Sequence, residues 1–494
     1  MKKTMTRHLA FLLAALICVL SGCGGTTDPA STPDTSGTSS ASTDTSTPGE
    51  TTPDSSDVSS ASESPSVSTP TSGPFKDNSG SDSSDTSTTT ITKAPDTSNS
   101  VGKVDPEKYR GTTVRYATWK DPYQDEDGPV ITKFQQKYGI TVKIDRIGQS
   151  DYIQTLTAMI NAGNSPDVIF DNNEFPASLN LLQPVENAQV DLTDEIWDQE
   201  FLEQASINGK HYLLNTVGNI WSEVDCVFFN KKIMKANGIT TPEEYYSQGN
   251  WNFDTMRQCM EEFAELNDTY YGGWINEEIL EAMAGTGFIK YQNNKFVSAF
   301  DDKNAINTLK DVFTYHAELQ KDGLLSDNWD PFRQGKVGVV MTNAYGLKKT
   351  GYFAGMNPND IGWTYLPNYN GQKAKTSALF RGWGISSGSE NPVAAGIFIR
   401  YYLDVDNYNT ATAFLNSEAE KFFFDLTNRS ATEKSYYLYQ GLSKVAGLTQ
   451  DDFRKQASVD PRQVSTEIDK MENIVASAVT KANNVLDTVA KKYK

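Results

Sequence analysis

Two short segments of the chain carry aromatic, acidic and amide side chains that could bind a small solute. The first contains Trp119 and Asp121, and the second contains Asp171, Asn172 and Glu174. Aromatic planes stack on apolar ring faces, whereas carboxylates and amides exchange hydrogen bonds with hydroxyl groups. These residues suggest non-covalent recognition, and all five are candidate ligand contacts. The alternative for each segment is a turn, because Asp and Asn are common turn residues.

The rest of the sequence offers little material for catalysis, a metal site or nucleic-acid binding. The acidic residues are dispersed, with no pair of carboxylates at a spacing that fixes them for glycoside hydrolysis. Only three histidines are present, and neither a phosphate loop nor a metal-ligand spacing stands out. A formal net charge of -19 repels nucleic acid. We therefore predict a protein that is not an enzyme and uses no metal, cofactor or nucleic-acid partner.

The elements that must position the two segments are strands of a parallel sheet. β-branched and aromatic residues predict a strand at 113–117, and alternation predicts another at 140–147. Apolar spacings of three and four predict helices between the strands, and residues 167–171 read as a third, buried strand. Ligands of such sheets bind beyond the carboxyl ends of the strands. That rule places residues 118–121 and 171–174 at one edge of the sheet.

The first 23 residues predict export and lipidation. Lys2, Lys3 and Arg7 precede an apolar run of about a dozen residues, which is shorter than the roughly 20 that a bilayer-spanning helix needs. The run ends in Leu20-Ser21-Gly22-Cys23, which resembles the lipobox of bacterial lipoproteins. We expect residues 1–22 to be a signal peptide and Cys23 to carry lipid at the extracytoplasmic face of the cell membrane. An uncleaved membrane anchor is the alternative.

Composition divides the remaining chain into a linker and a folded body. Residues 23–104 are rich in Ser, Thr, Pro, Asp and Gly and contain too little apolar surface to form a core, which predicts a disordered linker. Residues 105–494 are long enough for two lobes. Cys226 and Cys259 could form a disulfide or remain two buried thiols. The apolar spacing over 464–493 predicts one long amphipathic helix or a broken pair, packed on a lobe or forming a coiled-coil face.

Four segments of the chain, spread over roughly residues 110–405, carry a recognisable set of motifs. They are 158–170 with its Gly-x-x-Pro-Asp-Val-Ile run, 208–212 followed by 227–231, 332–341, and 363–367 followed by 382–386. In register, these segments resemble the family 1 extracellular solute-binding proteins, the maltodextrin-binding type that serves ABC importers. The chain departs from the family at 213–215, where Leu-Leu-Asn replaces the usual Ala-Leu-Pro, so the exact hinge stays open.

The resemblance implies a two-lobe α/β periplasmic-binding-protein fold of type II, in which each lobe is a mainly parallel sheet flanked by helices. Strands crossing between the lobes would form a hinge that closes on a ligand in the cleft. We expect an N-lobe of about 105–221 plus 366–420 and a C-lobe of about 222–365 plus 421–494.

The same resemblance adds six candidate ligand contacts. Glu223 falls where the family has an acidic contact, and Tyr345, after Asn343, falls near a position that is often aromatic. Trp221 lies at the first crossing between the lobes, with a core position as its alternative. Arg381 and Trp383 flank Gly382; Arg381 amid apolar neighbours needs an anionic or hydroxyl partner, whereas Trp383 could equally be core.

These observations predict a membrane-anchored receptor that captures a sugar or oligosaccharide and passes it to the permease subunits of an ABC importer. Two alternatives remain at this point. One is a sensor or adhesion module of the same fold on a surface tether. The other is a receptor for a non-sugar solute such as a peptide or a polyamine, because fold does not set function.

Overall fold

The computed structural model describes the folded body of the chain with short interruptions. The described residues are 104–124, 127–277, 279–369, 371, 376–429, 434–437 and 460–493. The predicted signal peptide, Cys23 and all but the last residue of the predicted linker lie outside these ranges. Within them, no helix combines the length and apolar composition needed to cross a bilayer.

The first lobe is built on a five-stranded sheet. Its strands are β1 (Thr113–Thr118), β2 (Thr141–Arg146), β3 (Val168–Asn172), β4 (Leu182–Gln183) and β14 (Arg381–Ser386). Their order in the sheet is β2-β1-β3-β14-β4. β1 pairs in parallel with β2 and β3, whereas β14 pairs antiparallel with β3 and β4. The strands predicted at 113–117, 140–147 and 167–171 are confirmed as β1, β2 and β3.

The second lobe is built on a four-stranded sheet of β7 (Asp225–Phe229), β8 (Tyr271–Ile275), β11 (Val337–Asn343) and β12 (Gly362–Thr364). Their order in the sheet is β12-β7-β11-β8. β7 pairs antiparallel with β11 and β12, and β11 pairs in parallel with β8. Three short two-stranded pairs complete the strands of the described residues: β5 (Ser206–Ile207) with β6 (Lys210–His211), β9 (Ile289–Gln292) with β10 (Lys295–Ser298), and β13 (Thr376–Leu379) with β15 (Lys434–Tyr437).

The two-lobe α/β architecture is confirmed, and each of the two main sheets contains one antiparallel strand. In each sheet one strand runs against all the others, β14 in the first and β7 in the second. Each of these is the strand by which the chain enters from the other lobe, so it arrives from the opposite direction. The strand directions are therefore mainly parallel, as predicted, while several of the hydrogen-bonded pairs are antiparallel.

Helices cover both sheets. In chain order the α-helices of the described residues are α1 (Asp127–Tyr138), α2 (Tyr152–Asn161), α3 (Gln199–Gln204), α4 (Lys231–Ala236), α5 (Pro242–Ser247), α6 (Phe253–Ala264), α7 (Ile279–Ala284), α8 (Lys303–Lys321), α9 (Pro392–Leu403), α10 (Thr410–Ala413), α11 (Ser417–Thr427), α12 (Val464–Lys470) and α13 (Glu472–Lys492). On the first sheet, α1 and α9 pack together, with the Phe134 and Phe398 rings 5.2 Å apart. Gly139, at a φ of 63° that favours glycine, follows the end of α1.

The chain crosses between the lobes in adjacent segments that form the hinge. Leu214 still belongs to the first lobe, where its backbone exchanges hydrogen bonds of 2.9 Å with Trp383. The first crossing therefore follows the Leu-Leu-Asn departure at 213–215 that left the hinge open. Val224 then forms an antiparallel bridge to Ala378, which joins the outgoing crossing to the returning one. These bridges place the hinge beside residues 216–224 and 376–380.

The C-terminal segment is a broken pair of helices, one of the two alternatives left open by the sequence, and it does not belong to the C-lobe alone. Val464 and Ile468 of α12 pack in the core of the second lobe. Ala482 and Leu486 of α13 pack instead in a cluster with Ala117 of the first sheet. The expected assignment of 421–494 to the C-lobe therefore fails for α13, because its apolar face extends past the second core and is buried against the first lobe.

The two cysteines of the folded body are separate buried thiols. Cys226 lies on β7 and Cys259 on α6, and both are free. Burial raises the pKa of each thiol, to about 12 for Cys259. Of the two readings left open by the sequence, the structure has the pair of buried thiols.

Candidate functional site

A cavity of about 330 Å³ lies where the two lobes and the first crossing meet. The first lobe contributes the two residues that follow β1, Phe170 from the middle of β3 and the first residue of β14. The crossing contributes residues 220–223, and the second lobe contributes the segment after β11. The lining residues are Trp119, Lys120, Phe170, Ile220, Trp221, Ser222, Glu223, Tyr345, Lys348, Tyr352 and Arg381.

The two residues that follow β1 place an aromatic ring and an ammonium group at the wall of this cavity. Trp119 and Lys120 follow directly after the last residue of the strand. The Lys120 Nζ lies 2.7 Å from Oδ2 of Asp127, the first residue of α1, and the Tyr402 hydroxyl donates to the same oxygen at 2.7 Å. Asp127 is fully buried. The ion pair therefore fixes Lys120 at the wall of the cavity.

Trp221 lies on the crossing and is contacted by a cation from each lobe. The Lys120 Nζ lies 3.4 Å from the centroid of the Trp221 ring, and the Lys348 Nζ lies 3.8 Å from it. An ammonium group over an indole ring is attracted by the negative charge of the π face. The Trp221 backbone N–H donates to Asn219 Oδ1 at 2.9 Å, which fixes the turn that presents the ring. Trp221 thus connects the two lobes through its ring.

Glu223 forms a second connection between the lobes. Its carboxylate forms an ion pair with Arg381, the first residue of β14, and accepts a hydrogen bond of 3.1 Å from the Asn343 amide at the end of β11. Arg381 stands opposite Asn172 in the register of β3 and β14. The first lobe, the crossing and the second lobe therefore meet at one carboxylate.

The second lobe supplies two tyrosines to the cavity wall. The rings of Tyr345 and Tyr352 meet edge to face with centroids 5.3 Å apart, and the Tyr345 hydroxyl donates to the Thr350 carbonyl at 2.7 Å. Burial, followed by the charge of Glu223, raises the pKa of Tyr352 to about 12. Tyr352 therefore stays protonated near neutral pH and can donate a hydrogen bond.

Five of the residues singled out from the sequence meet at this cavity, and the others do not line it. Asn343 does not line the cavity, but its side-chain amide donates a hydrogen bond to Glu223 and orients that carboxylate. Asp121 accepts the backbone N–H of Tyr123 at 3.1 Å within its own turn. The five that line the cavity are Trp119, Trp221, Glu223, Tyr345 and Arg381.

The acidic and amide run at the end of β3 leads into a turn, which is the alternative that the sequence left open. The Asp171 carboxylate accepts the backbone N–H groups of Glu174 at 2.7 Å and of Phe175 at 3.2 Å, and it also accepts the Ser178 hydroxyl. Asn173 takes a left-handed φ of 61°. The expectation of direct ligand contacts from Asp171, Asn172 and Glu174 is therefore corrected, because these side chains are buried in the first lobe.

Burial has a further consequence for Asp171. It raises the pKa of this carboxyl to about 7, against the opposing effect of the Ser178 hydroxyl, and the nearby Glu174 raises it further. Asp171 therefore takes up a proton near neutral pH inside the fold, away from the cavity lining.

Trp383 is a core residue and is withdrawn from the candidate site. It is 1% exposed, its ring lies 4.7 Å from that of Phe170, and its indole N–H donates to the Tyr116 hydroxyl at 2.9 Å. Its position on β14 directs it into the sheet packing, two residues beyond Arg381. The core alternative noted for this tryptophan is the one that the structure shows.

A pattern that sequence analysis passed over also proves to be structural. Residues Gly384 to Gly388 have the Gly-x-Ser-x-Gly spacing of a nucleophile elbow. Ser386 at its centre is fully buried, and its hydroxyl forms a 2.7 Å hydrogen bond with the Ser165 hydroxyl. His211 pairs with Glu186 at 2.9 Å instead. Ser386 therefore joins the end of β14 to the loop that contains Ser165.

Sequence reasoning missed two lysines and a tyrosine of the cavity wall. Lys120 stands between Trp119 and Asp121, so the strand-end rule already pointed to its segment. Lys348 and Tyr352 follow Tyr345 by three and seven residues. Nothing in their local pattern distinguishes them from surface residues, because only the return of the chain toward the crossing brings them to the cavity.

The wall of the cavity offers hydrogen-bond donors. The indole Nε1 of Trp119 and the Nε of Arg381 are buried and have no hydrogen-bond partner in the described part of the protein. A buried donor without a partner costs free energy, so a ligand that supplies an acceptor oxygen gains affinity there. The described residues contain no cluster of three or more side chains suited to hold a metal ion. The arrangement is suited to binding a polar organic solute.

Comparison with known proteins gives a family and one distant relative. Residues 130–416, more than half of the chain, match the sequence profile of a family described as bacterial extracellular solute-binding protein. An erythritol/L-threitol-binding protein of Mycolicibacterium smegmatis is 22% identical over 411 residues, which cover 74% of this chain and 82% of the relative.

Solved structures share the fold at low sequence identity. The galacto-N-biose-/lacto-N-biose I-binding protein of Bifidobacterium longum, in complex with lacto-N-biose, has a TM-score of 0.56 and 16% identity over 77% of this chain and 98% of its own. The cyclic α-maltosyl-1,6-maltose-binding protein of Arthrobacter globiformis has a TM-score of 0.56 and 13% identity over 76% and 99%. At such identities the likeness concerns the two-lobe fold.

Proposed function

The chain belongs to the bacterial extracellular solute-binding protein family, and we propose that it captures a saccharide between its lobes and delivers it to an ABC importer. The observation that carries this proposal is the cavity at the crossing, which both lobes line with aromatic and hydrogen-bonding side chains. Membership in the family sets the extracytoplasmic location and the solute-binding role. The chemical class of the solute is the part that we add.

The lining supports a saccharide because a sugar presents apolar ring faces edged by hydroxyl groups. Trp119, Tyr345 and Tyr352 supply aromatic surface, whereas Glu223 and Arg381 supply an acceptor and donors. The erythritol/L-threitol-binding relative and the structural neighbours that bind lacto-N-biose or cyclic α-maltosyl-1,6-maltose are consistent with hydroxyl-rich ligands.

The size of the cavity favours a small saccharide. Ligand pockets typically enclose roughly 300–1,000 Å³, and about 330 Å³ stands at the low end of that range. We therefore expect a mono- or disaccharide to fit more readily than a long oligosaccharide. Lobe closure would complete the site, since its walls come from both sides of the hinge.

We further propose that Cys23 carries a lipid that holds the receptor at the extracytoplasmic face of the membrane. The support is the basic start, the short apolar run and the lipobox-like Leu20–Cys23 segment. Metabolic labelling with a palmitate analogue tests this proposal. We expect label in the wild-type chain and none in Cys23→Ser, with release of that variant from the membrane fraction. Labelling of both chains would contradict the assignment of Cys23.

A binding panel tests the solute class with the full chain. Thermal unfolding would be followed with neutral monosaccharides, disaccharides, polyols, uronic acids and sugar phosphates, with dipeptides and spermidine as the non-sugar arms. A ligand that binds only the folded state at 100 times its Kd adds about 2.7 kcal/mol to the free energy of unfolding. We expect a sugar or a sugar derivative to raise Tm. A rise with dipeptides or spermidine alone would overturn the saccharide assignment.

A further inference from the structure

A second contact between the lobes lies away from the cavity and begins with the β9–β10 hairpin. The base of the hairpin belongs to the second lobe, where Phe288 and Ala299 are buried in the core. Phe296 on β10 packs instead in the cluster that contains Ala117 and Ile169 of the first sheet. The hairpin therefore extends from the second lobe to the first.

The helix α13 makes the same crossing beside the hairpin. Val475, near its start, is buried in the second core, whereas Leu486 is buried against the first lobe. The Asn483 side chain joins the helix to the hairpin, since it accepts the Phe296 backbone N–H at 2.9 Å and donates to the Phe296 carbonyl at 3.0 Å. Together, α13 and the hairpin of residues 289–298 form a unit that we call the strap.

Two tyrosine hydroxyls connect the strap region to the backbone of the first lobe. Tyr291 on β9 donates to the Ser206 carbonyl at 3.0 Å. Tyr493, which directly follows α13, donates to the Leu182 carbonyl at 3.1 Å. Ser206 lies on β5 and Leu182 on β4, and both strands precede the first crossing. No strap residue is among the described residues that line the cavity.

A strap with an anchor in each lobe restricts the relative motion of the lobes. At 1.5 Å per residue, the 21 residues of α13 form a helix about 32 Å long, which does not absorb a rotation within itself. The preceding helix α12 lies in the second core, so α13 follows the second lobe. A rotation that opens the cavity must therefore break or displace the contacts of the strap with the first lobe.

We propose that the strap holds the lobes in the arrangement in which both line the cavity, and that it sets how readily the cavity opens. The population of the open arrangement depends on its free energy relative to the closed one, so the strap contacts lower that population without touching a solute. Solute affinity depends in turn on the fraction of molecules that are competent to bind. The effect on solute binding rests on the proposed function, whereas the effect on lobe opening does not.

Matched pairs of tyrosine substitutions separate the strap from general stability. Tyr291→Phe combined with Tyr493→Phe removes the two hydrogen bonds that connect the strap region to the first lobe. Tyr152→Phe combined with Tyr315→Phe removes two bonds of the same kind, because these hydroxyls donate to backbone carbonyls of their own lobes at 2.9 and 2.7 Å. Only the first double variant weakens a contact between the lobes.

Pulsed electron paramagnetic resonance on the full chain measures the distance between the lobes. One spin label is placed at Lys133, exposed on α1, and the other at Gln320, exposed on α8 of the second lobe. Both are attached through ketone-bearing amino acids, because the chain has cysteines of its own. We expect the interlobe double variant to increase the long-distance population at least about threefold, since it loses two hydrogen bonds of the closed arrangement. The control variant should keep the wild-type distribution.

The other outcomes would overturn the proposal. They are an interlobe variant that keeps the wild-type distances, and equal shifts in the two double variants. If either double variant does not fold, Tyr493→Phe and Tyr315→Phe alone make the same comparison.

The distance measurement uses no solute, so it is independent of the solute class. A shift in the interlobe variant alone, together with a binding panel in which only dipeptides or spermidine raise Tm, would support the strap and overturn the saccharide function.

Discussion

The turn after β3 and the wall of the interlobe cavity contain similar residues and use them in opposite ways. Around the turn, the Asp171 carboxylate accepts three hydrogen bonds and the Trp383 indole donates to Tyr116. In the cavity wall, the Trp119 indole and the Arg381 Nε are buried donors without a hydrogen-bond partner among the described residues. A polar group that finds its hydrogen-bond partner within its own lobe stabilises the fold. A polar group at a cavity wall that has no such partner can form a hydrogen bond with a ligand.

Replacing Trp383 should produce the largest effect, because it removes a fully packed ring from the first lobe. We expect Trp383→Ala to lower the free energy of unfolding by about 3–5 kcal/mol, the usual cost of removing a buried aromatic side chain. Chemical denaturation followed by circular dichroism measures this loss. If the variant retains its stability and loses only ligand affinity, Trp383 is a ligand-binding residue and its assignment to the core is wrong.

Removing the Asp171 carboxylate should come second. Asp171→Ala leaves two backbone N–H groups and the Ser178 hydroxyl without their buried acceptor, and we expect a loss of about 2–3 kcal/mol in the free energy of unfolding. Ligand affinity, measured by calorimetry below the new Tm, should change less than twofold. A large loss of affinity with unchanged stability would contradict the structural role of this turn.

Replacing Trp119 tests the wall of the interlobe cavity, the second of the two regions compared. We expect Trp119→Ala to weaken saccharide binding by about 10- to 100-fold, or about 1.4–2.7 kcal/mol, because it removes an aromatic surface from the cavity. The half-buried ring should cost less stability than Trp383 does. Unchanged affinity together with a stability loss equal to that of Trp383→Ala would make Trp119 a core residue instead.

The titration of Asp171 should make stability depend on pH. Burial raises the pKa of this carboxyl in the fold to about 7 from its ordinary 3.8. The folded state therefore holds the extra proton between about pH 4 and 7, so the free energy of unfolding falls as pH rises through that window.

The variant Asp171→Asn removes this dependence and keeps an acceptor oxygen. We expect its stability relative to wild type to increase by about 1 kcal/mol or more between pH 5 and 8, since one pKa unit corresponds to about 1.4 kcal/mol. Denaturation curves at pH 5, 6, 7 and 8 measure the difference. Parallel curves for the two proteins would show that Asp171 titrates alike in the folded and unfolded states.

Asp121 should show the smallest effect, although it stands two residues from Trp119. Its carboxylate accepts the Tyr123 backbone N–H within a turn, and it does not line the cavity. We expect Asp121→Ala to change the free energy of unfolding by no more than about 0.5 kcal/mol and the ligand affinity by less than twofold. A tenfold loss of affinity would extend the binding site beyond the cavity described above.

Much of the local structure followed from the residue pattern. Apolar alternation and spacings of three and four identified β1, α1, β2, α2 and β3, and they identified the helical C-terminal segment without deciding between one long helix and the pair α12 and α13. These patterns are reliable because each helix or strand must bury one face. Its apolar residues therefore recur along the sequence with the period of that element. The strand-end rule likewise led from β1 to Trp119.

The same rule gave a wrong prediction at the end of β3, where the residues are as polar as those at the end of β1. Whether Asp171 faces a ligand or caps a turn depends on where the backbone N–H groups of Glu174 and Phe175 point, and side-chain types do not encode that geometry. Trp221 and Trp383 were ambiguous for a related reason. An indole can serve as core or as cavity wall, and its neighbours in space decide which.

The sequence by itself determined the α/β class, the order of the first elements and the separation of a polar N-terminal stretch from a body long enough for two lobes, because composition and periodicity are local properties. Tertiary structure alone decided that β7 and β14 run against their sheets, that α13 crosses to the first lobe, and that Lys120 and Lys348 meet over Trp221. Those contacts join residues more than 100 positions apart, and only the packing of the two lobes around their crossings brings them together.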